Sequence, residues 1–163
     1  MFSTAQNVQP EVPASANNSI LLVSPCAEDH TTLKSLLQAS GWSINSCSGA
    51  MDSIQQIASR RPALIICERD LPDGNWRTVL AACEASASSP LMLVVSRHAD
   101  ENLWAEVLNL GGYDVLMKPF DKAELTRVVG TAWRQWLSRL PEGPVDSPPG
   151  QARPTLTTHN QYV

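Results

Sequence analysis

The stretch Ala63-Leu64-Ile65-Ile66-Cys67-Glu68-Arg69-Asp70-Leu71-Pro72-Asp73-Gly74 sets the architecture. An apolar run stops at a carboxylate, and a Pro-containing turn follows three residues later. A buried strand of this kind carries its terminal charge to one edge of a sheet, where open α/β folds place their chemistry. The residue at that end is Glu68.

The flanking sequence repeats the alternation of apolar run and amphipathic segment. Upstream, residues 19–24 form a short apolar run. Residues 27–40 place Leu33, Leu36 and Leu37 on one helical face, with Gly41 as the expected C-cap. Residues 42–48 alternate as a strand, and residues 50–61 bring Met51, Ile54, Ile57 and Ala58 to helical spacing before Pro62. Downstream, Asn75 caps a helix to about Ser86, Leu91 to Val95 is a strand ending at Ser96, and Glu101 to Leu110 is a helix stopped by Gly111-Gly112. Asp114 to Met117 is a last strand ending at Lys118-Pro119. Asp121 and Glu124 then resemble a capping box that opens a helix with an apolar stripe from Leu125 to Leu140. Five strands alternating with five helices give a parallel sheet covered on both faces.

Residues 1–18 and 141–163 lack apolar periodicity. They read as a disordered arm and a Pro-rich disordered tail around a domain of residues 19–140. The net charge of −4 and pI near 5.3 oppose a nucleic-acid surface, and Arg60-Arg61 reads as a cationic helix end. No signal peptide or bilayer-spanning run is visible, so neither secretion nor membrane insertion is expected. Cys26, Cys47, Cys67 and Cys83 form no CxxC pair and read as buried, reduced thiols, which suits a cytoplasmic location.

The strand ends would gather Ser24-Pro25, Glu68, Ser96 and Lys118 around one crevice: an acid, hydroxyls and a lysine, suited to a carboxylate and a phosphoryl group. These motifs carry a resemblance. Gly111 to Asp121, with Lys118-Pro119-Phe120, and Leu64 to Gly74, ending Leu-Pro-Asp-Gly, are similar to the receiver domain of two-component response regulators, and Leu21 to Trp42 aligns with its first strand and helix. The resemblance implies a three-layer α/β/α, flavodoxin-like (βα)5 fold with sheet order 2-1-3-4-5. It also implies phosphorelay signalling, with Glu68 at the phosphoacceptor position, Ser96 as the switch hydroxyl and Lys118 as the family's lysine.

The departures matter as much. The family's two metal-holding acids fall on Ser24 and Pro25, its phosphoacceptor Asp is Glu68, and its rotating aromatic is Val115. Magnesium prefers a near-octahedral oxygen shell with one or two carboxylates, so Mg²⁺ binding is expected to be weak or absent and one carboxylate to face Lys118. Glu68 is either a partial, permanent imitation of a phosphorylated residue or a residue without function. Asp70 is the possible rescue acid, but Asp70, Glu28 and Asp29 read more simply as turn or helix-start charges. His98 reads as a loop residue and His30 as a residue of the first helix, neither a phosphate carrier.

Two functions remain. One is a stand-alone, non-enzymatic pseudo-receiver that meets a histidine kinase or downstream regulator through its fourth helix, last strand and fifth helix. Trp104, Trp133 and Trp136 lie there and read as core in preference to hot spot. The other is a working receiver accepting a phosphoryl group on Asp70 or Glu68, which the presence of Ser96 and Lys118 favours. Flavin binding lacks a phosphate loop at Ser24-Pro25-Cys26.

Overall fold

Three strands made almost wholly of buried residues, β1 (Ser19–Val23), β3 (Leu64–Glu68) and β6 (Leu91–Ser96), lie side by side in a computed structural model that describes residues 17–140. Near-continuous apolar strands are what a parallel sheet covered on both faces requires. The sheet is completed by β2 (Ser43–Cys47) and β7 (Asp114–Met117) in the order β2-β1-β3-β6-β7, all pairs parallel. Counting sheet strands alone, this is 2-1-3-4-5, as the resemblance implied. Two two-residue strands, β4 (Asp70–Leu71) and β5 (Gly74–Asn75), close the turn after β3 as a small antiparallel hairpin.

Alternation along the strands builds two cores. Ile20, Leu22, Leu64, Ile66, Leu93 and Val95 face α1 (Ala27–Gln38) and α5 (Lys122–Arg139). Their neighbours Leu21, Val23, Ile65, Cys67, Met92 and Val94 face α2 (Ala50–Arg60), α3 (Trp76–Ala85) and α4 (Glu101–Leu110). Burial pushes the Cys47 thiol up to about 11 and the Cys83 thiol to about 12, and lifts Cys67 well above the ordinary thiol value. All three stay protonated and pack as small apolar groups.

Capping follows the sequence where a side chain does it. Asn75, Asp100 and Asp121 each accept a backbone N–H of the helix they open. Other details differ. The first helix ends at Gln38 with Ala39 as its C-cap, and Gly41, at φ +82, serves the turn beyond. On α2 the buried face is Ala50, Ser53 and Ile57, so of the expected stripe Ile57 is core and Ile54 part-buried, while Met51 and Ala58 are exposed. Trp133 and Trp136 are core, their indole N–H groups donating to the carbonyls of Asn17 and Ser88 (both 2.9 Å). Trp104 is not core: it is 51% exposed, because Leu103 and Val107 take the inward face of α4.

The predicted arm and tail lie outside the described residues, except Asn17 and Asn18. Their side-chain amides donate to the carbonyls of Arg61 (2.8 Å) and Gly41 (2.6 Å). Among the described residues, no helix is long and apolar enough to cross a membrane.

Candidate functional site: a crevice closed around Lys118

Strand order reverses at β1, between β2 and β3, and ligand sites of open α/β sheets lie beyond the carboxyl ends of the strands at such a switch. Glu68 ends β3 there, Ser24 follows β1, Ser96 ends β6 and Lys118 follows β7. The fold therefore gathers the four strand-end positions read from sequence at one edge.

A fifth residue joins them. Asp29, in the first turn of α1, is buried, and its Oδ2 accepts both the Lys118 ammonium (2.5 Å) and the Ser24 hydroxyl (2.6 Å). The Glu68 carboxylate pairs with the same ammonium. Side-chain exposures of 10% for Lys118, 7% for Asp29 and 15% for Glu68 mark this as a largely desolvated cluster. Two expectations are thereby corrected: Asp29 is a crevice residue, not a mere helix-start charge, and two carboxylates face Lys118, not one.

Ser24 holds the arrangement at its rear. Its Oγ donates to Asp29 and accepts the Cys26 amide (3.1 Å), while its carbonyl accepts His30 Nε2–H (2.6 Å). Pro25 supplies no donor and no charge. Burial disfavours the Lys118 ammonium, but the hydrogen bonds and negative charges of Asp29 and Glu68 outweigh it, and its pKa stands above the ordinary lysine value. A cleft of about 430 Å³ opens beside the group, with Glu28 and Arg97 among its walls.

The other candidates do not join the hydrogen-bonded cluster around Lys118. Ser96 is buried, but its hydroxyl accepts the His98 amide (3.1 Å) and does not reach Glu68. Asp70 is exposed and pairs with Arg69 (2.8 Å), a turn charge as read from sequence. Val115 lies in register with Val94 and is half-buried. Among the described residues, no group of three His, Cys, Asp or Glu side chains converges as a metal-binding cluster.

Sequence reasoning missed Asp29 as a site residue, although a signal was present. Positions 29, 33 and 37 are spaced four apart, so Asp29 is in phase with Leu33 and Leu37 on the buried face. An acid on an apolar stripe needs a partner, and Lys118 is that partner.

This fold with this crevice defines a class. The sequence model of the response regulator receiver domain matches residues 20–130, and the chain belongs to that family. It is similar to the regulatory protein LuxO of Vibrio vulnificus, with 29% identity over 102 residues, 63% of this chain. The match spans only 22% of that protein's length. Among solved structures, the signal receiver domain assigned to a Luxo repressor protein of Vibrio parahaemolyticus superposes with a TM-score of 0.72 at 25% identity, covering 77% of this chain and 97% of that one. The receiver domain of an HD domain-containing protein of Pseudomonas fluorescens Pf-5 follows at 0.67 and 28%, covering 74% and 97%.

Proposed function

We propose that this receiver domain takes part in two-component signalling as a pseudo-receiver, by protein contact and without accepting a phosphoryl group. The observation that carries this reading is the Lys118 ammonium set between Asp29 and Glu68 in a largely desolvated cluster. In a receiver that works with Mg²⁺, carboxylate oxygens must be free for the ion. Here the chain's own ammonium is shared by both carboxylates, offsetting one of their two charges and engaging an oxygen of each, and Ser24 and Pro25 bring no further anionic oxygen. The donor set does not fit Mg²⁺.

Without that ion, charge neutralisation and positioning of an incoming phosphoryl group both fail, and these are most of what phosphoryl transfer needs from a protein. Asp70, held by Arg69 on the exposed hairpin, is poorly placed to substitute. The family's partners are proteins, and we assign contact with a histidine kinase or downstream regulator to the face built from α4, β7 and α5, where Trp104 and Met117 are about half exposed.

The test is incubation with acetyl phosphate and Mg²⁺ followed by intact-mass measurement. No phosphate adduct is expected. A stable, magnesium-dependent adduct on Glu68 or Asp70 would overturn the reading in favour of a working receiver.

A further inference from the structure

The outward face of α4 carries apolar side chains that its own core does not use. Leu103 and Val107 are buried, whereas Trp104 is 51% exposed and Leu108, one turn on, 37%. Across from α4, Met117 is 53% exposed and Val115 half-buried at the sheet edge. Between them lies a cleft of about 320 Å³, lined by Ala99, Asp100, Glu101, Trp104, Val115, Met117 and Glu124. Its floor is apolar, and every charged residue of the lining is an acid.

We propose that this cleft receives a cationic segment of a partner protein. The segment would insert one or two apolar side chains against Trp104, Val115 and Met117 and place lysine or arginine beside Asp100, Glu101 and Glu124. The proposal deepens the contact-signalling reading and rests on it, but not on the chemistry of the Lys118 crevice.

Charge selects the occupant. A second copy docking through the same face would set three acids against three acids. Nucleic acid and an anionic bilayer are repelled for the same reason. The chain's own ends are poor complements: residues 1–16 contain Glu11 and no Lys or Arg, and residues 141–163 set one Arg153 against Glu142 and Asp146. A large exposed indole beside a long flexible thioether gives an anchor site for an inserted apolar side chain, with the acids fixing its flanks.

The probe is a synthetic amphipathic peptide of about 18 residues built from Leu and Lys at helical spacing, with a Leu/Glu peptide as its counterpart. Both are titrated into the full-length chain while backbone amide and indole NMR shifts are followed. The Leu/Lys peptide should shift residues 99–104, 115–117 and 124, and its affinity should fall steeply between about 50 and about 500 mM salt. Trp104→Ala, at an exposed position, should weaken it about tenfold. Glu101→Lys with Glu124→Lys should transfer preference to the Leu/Glu peptide.

No binding of the Leu/Lys peptide, equal binding of both peptides, shifts centred elsewhere, or unchanged affinity in Trp104→Ala would each overturn the proposal. Such a result with no acetyl-phosphate adduct would leave the pseudo-receiver reading standing. An adduct would remove that reading whatever the peptides do.

Discussion

Lys118 lies at the centre of the residue-scale account, because one ammonium serves two carboxylates that arrive from different elements. Taking it away strands both charges in a poorly hydrated crevice, so Lys118→Met should cost about 3 kcal/mol in urea unfolding at neutral pH. The same substitution should create what the native chain lacks. With Asp29 and Glu68 released from the ammonium, millimolar Mg²⁺ should raise the melting midpoint of Lys118→Met and leave that of the native protein unchanged. A variant indifferent to Mg²⁺ would mean that the carboxylates are too far apart or too solvated to act together.

The pH dependence has a definite sign. The folded pKa of Lys118 lies above its unfolded value, so its stabilisation is complete below the ordinary lysine value of about 10.4 and fades as pH rises through the folded one. The gap in urea midpoint between native protein and Lys118→Met should therefore persist through neutral and moderately alkaline pH and narrow at strongly alkaline pH. Position 68 was legible in the sequence because an apolar run ended there. Asp29 was hidden because a carboxylate in a helix's first turn has an ordinary explanation, and only its phase with Leu33 and Leu37 argues otherwise.

At the scale of elements, α2 shows a cap that no local pattern announces. Its N-cap is Gly49, which has no side chain to offer, and Asp73 reaches over from the β4–β5 hairpin instead. The Asp73 carboxylate accepts the amides of Ala50 (2.7 Å) and Met51 (3.0 Å), and these bonds hold its pKa below the usual carboxylate value, Met51 contributing most. A lowered folded pKa stabilises above the unfolded value and is lost as pH falls through the folded one. Asp73→Asn should thus lower the urea midpoint at pH near neutrality, and the gap should close in acid, below about 3.9. A Cβ on Gly49 would stand 2.8 Å from Asp73 Oδ1, so Gly49→Ala should weaken the same cap and be less than additive with Asp73→Asn. Asn75, Asp100 and Asp121 were readable because each cap precedes its own helix. Asp73 was not, since it caps a helix whose first turn precedes it in sequence by more than twenty residues.

The whole molecule is a sheet whose central strands are buried on both faces, and the sequence shows this directly in Ile20–Val23, Leu64–Cys67 and Leu91–Val95. Ile66 is 1% exposed among α1 and α5 residues, and Ile66→Ala should cost about 2–5 kcal/mol by urea titration without altering the sheet. Strand order, by contrast, came from resemblance, since apolar runs do not say which neighbour each strand takes. The exposure of Trp104 escaped the sequence because α4 is apolar on two faces, and periodicity alone does not tell which one the sheet claims.

Calorimetric titration of the native chain with Mg²⁺ tests the central claim most directly. If Lys118 is the permanent counterion of Asp29 and Glu68, no saturable heat should appear up to millimolar ion. Stoichiometric binding at micromolar Mg²⁺ would show that the crevice opens to a divalent cation, and would contradict the account.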